Sequence, residues 1–424
     1  MAVYGDKRDA CTMTHKIERV GGRAAAGTTL WRRIAEAWAA KTAVGTLTLV
    51  FPDRSERVYA TTKSGPSATI EIHRGRAVWR VLMGGKLGFA EAFMDGDWSS
   101  PDLTQVIAFG LANQEGLGAA LRPSWLVRAI AAAQHWSRAN TRVGSRRNIA
   151  HHYDLGNDFF EQWLDETMTY SSAIFAAPGM SLAEGQREKY RRILTSLNLR
   201  PGDRILEIGC GWGGFAEMAA AEAGVSVTGI TLSRAQAQFA RQRMMVAGLT
   251  DRVDIRVEDY RDAAGSFDRI VSIEMFEAVG ERNWPAFFHI IRDRLKDGGR
   301  AVIQVITIAD ERFDAYRRSV DFVQRYIFPG GMLPSPSALA SSIEASGLSL
   351  VQSSFFGDSY AETLRQWDKR FQRQWDQISP LGFDERFHRM WSYYLNYCEA
   401  GFTLGVTDVG QFVIDKPPAD IGGV

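Results

Sequence analysis

The chain has 424 residues, more than one ordinary domain holds, with 45% hydrophobic and 23% charged residues, a composition that excludes disordered and collagen-like classes. Fifty basic against 49 acidic residues leave a net charge of +1, so the total predicts no polyanionic partner, and no nucleic-acid fold signature accompanies it. Three scattered cysteines, Cys11, Cys210 and Cys398, exclude a disulfide framework or a cysteine zinc site and fit a reducing cytoplasm. No apolar run approaches the roughly 18 residues of a membrane span, and the charged stretch MAVYGDKRDACTMTHK lacks the core of a signal peptide. A soluble or peripheral, cytoplasmic protein is expected. Aromatic residues make up 11%, enough to line something large and apolar.

Residues 1–114 are expected to form a small α+β domain. LWRRIAEAWAAK spaces Leu30, Ile34 and Trp38 like an amphipathic helix. GTLTLVF, ATIEIH and AVWRVLM read as strands between PD, SGP and HRG turns, and short helices are expected around LGFAEAFMDGDW and DLTQVIAFGL. Residues 115–152 form a connector in which Arg122, Arg128, Arg138, Arg142, Arg146 and Arg147 have no acidic counterpart after Glu115. Either it is a solvated helix and linker, or Leu126, Val127, Ile130 and Trp136 enter lipid while the arginines meet an anionic membrane surface.

From 153 to 424 strands and helices alternate: RILEIG, GGFAEMAAAEA, VSVTGIT, SRAQAQFARQRMMVAG, VDIRVEDY, FDRIVSIEM, WPAFFHIIRDRLK, RAVIQVITI, SPSALASSIEAS, LSLVQSSFF and a closing DVGQFVI. That order predicts a doubly wound, mostly parallel sheet. An aromatic-rich helical insert, at about 357–405, precedes the last strand and holds Trp367, Phe371, Trp375, Trp391, Tyr393, Tyr394 and Tyr397.

The run Glu207-Ile208-Gly209-Cys210-Gly211-Trp212-Gly213 follows one strand and opens a helix. Glycines there permit positive φ and let a ligand approach the backbone at the carboxyl end of the sheet. A dinucleotide site wants GxGxxG and an acid ending the next strand; that strand ends instead in Gly229-Ile230-Thr231-Leu232-Ser233. The E-x-G-x-G-x-G pattern is that of S-adenosylmethionine (SAM) methyltransferases, and Glu258 and Asp259 end a further strand at the adenine side of the same crevice. The histidines, including His151, His152, His289 and His388, lack metal-ligand spacing, so no metal is expected.

The segments HHYDLGNDFFEQWLDETMTYSSAIF, ILEIGCGWGGFA, GITLSRAQ, FDRIVSIEMFEAVG, RYIFPGGMLPS and YYLNYCEAGF resemble those of the cyclopropane-fatty-acid synthase and mycolic acid cyclopropane synthase family. The likeness runs from about Asn148 to Ile414, and the first zone is similar to the N-terminal domain of longer bacterial synthases. It implies a Rossmann-like, seven-stranded SAM methyltransferase fold that adds a methyl-derived carbon to the cis double bond of an acyl chain, usually on a membrane phospholipid. Carried over by motif, Tyr170 and Ser171 contact SAM, Gly209 and Gly211 pass beneath its methionine part, Thr231, Leu232 and Gln236 surround the ribose, and Glu258 and Asp259 meet the adenine end. The resemblance also implies a bicarbonate ion held by Ser172, Glu277, Gln304, Ile306 and Tyr360. The family usually has Cys at Ser172 and His at Gln304; a Gln donates a hydrogen bond but, unlike His, does not titrate near neutral pH.

Methylating an alkene leaves a carbocation, which aromatic faces stabilise and shield from water. Phe160, Trp163, Tyr170, Phe175, Tyr326, Phe328 and Tyr394 are candidates for that lining. Loss of a proton from the new methyl group closes a cyclopropane; a prior hydride shift gives a methylene branch instead. Glu277, just past a strand end, is expected to act as the base or to position it. The readings carried forward are a cyclopropane-forming enzyme, a methylene- or methyl-branching one, and a non-catalytic lipid-binding protein. A peripheral homodimer at the inner membrane face is expected.

Overall fold

A computed structural model describes residues 29–118 and 155–418. The basic stretch of the connector, with all six arginines, lies outside the described residues.

The N-terminal unit opens with the helix Leu30–Ala39 and a four-stranded sheet of order β2-β1-β3-β4: β1 Thr46–Val50, β2 Glu56–Ala60, β3 Ser67–Ile72 and β4 Trp98–Ser99. β1 pairs antiparallel with β2 and parallel with β3. Its alternation sends Leu47 and Leu49 into the core, the period-2 signature of a half-buried strand.

AVWRVLM, predicted as a strand, is helical: it begins the helix Arg76–Met94. Ala77, Val78 and Val81 are buried while Trp79, Leu82 and Met83 are exposed, the one-sided pattern of a helix rather than a strand's alternation. A short apolar run satisfies both periods, and the packing partners decide. Gly85, at φ +58° and ψ −133°, breaks the helix, so that the chain doubles back until a Cβ on Gly88 would lie 2.0 Å from the Arg80 carbonyl oxygen.

The larger unit is a seven-stranded sheet of order β10-β11-β9-β8-β5-β6-β7. Its strands are β5 Arg204–Ile208, β6 Ser226–Thr231, β7 Val253–Val257, β8 Phe267–Ile273, β9 Leu295–Ile308, β10 Ser349–Phe355 and β11 Thr407–Asp415. β11 inserts antiparallel between β9 and β10; the pairs from β9 to β7 are parallel. Helices Leu182–Leu197, Gly214–Ala223 and Arg234–Val246 build the core on one face. Helices Trp284–Arg294 and Pro336–Ala345 build it on the other. The chain leaves β5 towards β6 on one side and returns to β8 on the other, so the crevice at the carboxyl ends of β5 and β8 is the topological switch point where such sheets bind ligands.

Between β10 and β11 lie the helices Gly357–Arg373 and Glu385–Thr403, which pack over that crevice with the short helix Asn157–Trp163. They also carry the N-terminal unit. Arg389 donates to the Trp98 carbonyl at 2.7 Å and stands over the Phe93 ring, and Thr104 donates to Asn396 at 2.7 Å. One aromatic core therefore joins the two units, from Trp98 to Trp163.

Candidate active site

A cavity of about 330 Å³ opens at the carboxyl ends of β5, β6 and β8, roofed by Tyr360, Tyr394 and Phe402 of the two insert helices. On its floor Gly209 and Gly211 adopt φ of +85° and +51°. A Cβ at Gly209 would lie 2.8 Å from the Met275 side chain, whereas one at Gly211 would meet nothing within 4 Å and would project into open space. Gly209→Val is therefore expected to weaken SAM binding about tenfold or more by calorimetry, since a β-branched residue is strained at that φ and collides with Met275.

The remaining expected SAM contacts converge on this floor. Tyr170, Ser171, Glu207, Thr231, Leu232, Gln236 and Glu258 all line the cavity. Glu207 Oε2 is buried with no hydrogen-bond partner among the described residues, and burial pushes its carboxyl up to about 8 against the opposing charge of Lys189. A buried acceptor without a donor fits a ligand that brings donors and positive charge. Asp259 differs from the expectation. It does not line the cavity; Arg261 clamps its carboxylate at 2.8 and 2.6 Å, so it shapes the loop after β7.

The decisive side chain is one that the sequence reading passed over. Glu274 directly follows β8, at φ +48°, a left-handed conformation uncommon for a non-glycine residue. Its Oε1 accepts from the Ser172 amide at 2.8 Å and from Gln304 Nε2 at 2.7 Å, and its Oε2 accepts from the Tyr360 hydroxyl at 2.7 Å. Those are three of the five residues expected to hold bicarbonate. The other two pair with each other, the Ile306 amide donating to Glu277 Oε1 at 2.5 Å. The donors are thus committed to side-chain carboxylates, and the set does not fit a bicarbonate ion. The signal was present as a second acid three residues before Glu277 in SIEMFEAVG; its backbone conformation was not legible there.

Glu277 lines the same cavity as Glu274. Its Oε2 is buried without a partner among the described residues, and burial, followed by the nearby charge of Glu274, pushes its carboxyl up to about 8. Burial also raises Glu274, opposed first by the positive charge of Lys189 and then by its hydrogen bonds to Tyr360, Gln304 and Ser172.

Of the expected aromatic lining, Tyr170, Phe328 and Tyr394 face the cavity, and the Tyr170 and Tyr394 hydroxyls meet at 2.8 Å. Phe160 and Trp163 form the layer behind, with rings 5.4 and 5.5 Å from Tyr170. Phe175 and Tyr326 do not line it, and the Tyr326 hydroxyl is bonded to Glu91 at 2.5 Å. A second, apolar cavity of about 190 Å³ lies in the N-terminal unit among Leu49, Ile72, Val81 and Ile107, and shares Leu111 and Tyr397 with the first.

Residues 140–412 match the family model described as mycolic acid cyclopropane synthetase. The chain belongs to that family. Tuberculostearic acid methyltransferase UfaA1 of Mycobacterium tuberculosis is 40% identical over 395 residues, 88% of each chain. Cyclopropane-fatty-acyl-phospholipid synthase of Escherichia coli is 36% identical over 342 residues, 80% of this chain and 85% of that one. Among solved structures, the mycolic acid cyclopropane synthase CmaA1 in complex with SAH and CTAB superposes with a TM-score of 0.61 at 32% identity, covering 64% of this chain and 98% of that one. Membership makes this cyclopropane synthetase relative a SAM-dependent methyltransferase. No helix among the described residues is long and apolar enough to cross a membrane.

Proposed function

We propose that this enzyme methylates the cis double bond of an unsaturated phospholipid acyl chain and that Glu274 takes the proton whose loss forms a cyclopropane. The observation that carries this reading is the Glu274 carboxylate, set in the cavity wall by three donors where the family resemblance called for a bound base.

When bound, SAM supplies an electrophilic methyl group. Tyr170, Phe328 and Tyr394 present ring faces to the acyl chain, which favour a developing carbocation and exclude the water that would quench it to an alcohol. The alkene π pair becomes the new carbon–carbon bond as the methyl–sulfur bond breaks, its electron pair leaving on sulfur. A C–H bond of the added methyl group then breaks, its electron pair closes the ring and its proton passes to Glu274. The Ser172 amide, Gln304 and Tyr360 fix the angle at which that carboxylate faces the chain. Gln304 needs no charge of its own here, because Glu274 supplies it. The neighbouring apolar cavity and the acid-free arginines of the connector support an acyl lipid drawn from an anionic surface.

A second reading keeps the substrate and gives a methylene- or methyl-branched chain. The 40% identity to a protein named tuberculostearic acid methyltransferase favours it. Proton NMR of lipids from a host rich in oleoyl phospholipids that expresses the enzyme distinguishes the two. Cyclopropyl protons upfield of the alkyl envelope are expected. Vinylidene protons alone overturn the cyclopropane product, and no methylated lipid at all overturns the function.

A further inference from the structure

We propose that Lys189 is a positioning residue for this reaction: its ammonium is the counter-charge to Glu274, and it braces the Ser171–Ser172 turn that holds that carboxylate. The proposal rests on the assignment of Glu274 as base.

Lys189 lies on the helix Leu182–Leu197 and is fully buried, although a lysine there costs desolvation that an apolar residue would not. Its Nζ donates to Ser171 Oγ and to Gln186 Oε1, both at 2.6 Å. No carboxylate among the described residues stands within ion-pair distance, so its charge is neutralised across space rather than in contact. Gln186 Nε2 donates in turn to the Ser171 carbonyl at 2.8 Å, and the next amide, that of Ser172, donates to Glu274. A second arm runs through Gln411, whose Nε2 donates to the Lys189 carbonyl at 3.4 Å and to Gln304 Oε1 at 3.1 Å; Gln304 then donates to Glu274. Both arms end on the same carboxylate.

The charged groups facing Lys189 are Glu274, then Asp165 and Glu207. Those facing Glu274 are Lys189 and Glu277, with Tyr360 and Tyr394 as the titratable hydroxyls. Burial lowers the Lys189 ammonium to about 7, and the three carboxylates oppose that fall. The sign follows. Lys189 favours the ionised form of Glu274, so removing its charge raises the Glu274 carboxyl further and protonates the base at a pH where the native enzyme holds it free.

The test compares Lys189→Met and Lys189→Gln in the full-length enzyme, following kcat/KM against pH and SAM affinity by calorimetry. The Gln variant keeps a hydrogen bond to Ser171 while losing the charge. Both variants are expected to move the acid limb upward by about a pH unit or more, which lowers kcat/KM on that limb roughly tenfold and restores it at higher pH. Because Lys189 also braces Ser171 and faces Glu207, SAM affinity is expected to fall as well, so the limb is read at saturating SAM. An unshifted acid limb in folded Lys189→Gln, with a uniform loss of rate, overturns the proposal, and so does failure of both variants to fold, which would make Lys189 a structural residue. Glu274→Gln in the same assay separates the two ideas. If it keeps native turnover and acid limb, the assignment of Glu274 as base fails; if it is inactive while the Lys189→Gln limb stays unmoved, only the role of Lys189 fails.

Discussion

Glu274→Gln is expected to lower kcat by about a thousandfold, within the range that removal of a general base produces, with SAM affinity nearly unchanged. The amide has the shape of the carboxylate, and its one oxygen can still accept from the Ser172 amide and Gln304 while its NH2 donates to the Tyr360 hydroxyl oxygen, but it cannot take a proton. The SAM floor at Gly209 and Gly211 lies after β5, on the neighbouring strand, so the cofactor site is not disturbed. Single-turnover transfer of labelled methyl to lipid separates the chemical step from binding. Glu274→Gly sharpens the result. The backbone at φ +48° suits glycine better than glutamate, so the fold should tolerate this change. It also frees the Ser172 amide, Gln304 and Tyr360 around a space the size of a carboxylate. Added bicarbonate should then restore part of the turnover. Glu277→Gln should do far less, because a carboxyl pushed up to about 8 is already mostly protonated at neutral pH and an amide resembles that neutral form. Burial raises both neighbouring acids; at Glu274 the Lys189 charge and three hydrogen bonds oppose the rise, whereas at Glu277 the Glu274 charge adds to it.

Trp163→Ala should destabilise the protein by about 3–5 kcal/mol, the cost of removing a buried indole from a well-packed core. The side chain is fully buried and touches the rings of Phe159, Phe160, Tyr170, Trp367 and Trp391 at centroid distances of 5.5 to 5.9 Å. These come from the helix Asn157–Trp163, the loop at Tyr170 and the two insert helices, so the cavity is not filled by a single local shift. A thermal scan should show a midpoint lower by roughly 10 °C. Trp163→Phe should cost much less. The indole Nε1–H has no hydrogen-bond partner among the described residues, so phenylalanine removes an unsatisfied donor along with part of the packing. Methyl transfer should fall in the Ala variant beyond what stability explains, because Tyr170 loses the layer that holds its ring against the cavity. A native thermal midpoint in Trp163→Ala would show that the aromatic cluster is not the common support of site and fold.

The legible parts of this protein were those whose chemistry is local. Glu207-Ile208-Gly209-Cys210-Gly211 announces its site because glycine and the strand-end acid act where they stand, and the alternation from β5 to β9 dictates a parallel sheet. The position of β11 between β9 and β10 was not legible, since pairing partners far apart in sequence are chosen by packing. AVWRVLM was misread because seven apolar-rich residues satisfy both periods, and burial of Ala77, Val78 and Val81 on one side settles which. Asp259 looked equivalent to Glu258 until Arg261 was seen to hold it. Glu274 was hidden for the most physical reason. Its role depends on a left-handed backbone turn that brings it onto the Ser172 amide, Gln304 and Tyr360, which come from three distant segments. Glu277, three residues on, carried the familiar motif and drew the assignment to itself.

The most direct measurement is the bicarbonate dependence of the unmodified enzyme. Methyl transfer to oleoyl phospholipid vesicles is followed in buffer stripped of carbon dioxide and again with bicarbonate restored. Because the base is a side chain of the protein, the rate should be the same in both. A rate that collapses on stripping and returns with bicarbonate would contradict the assignment of Glu274.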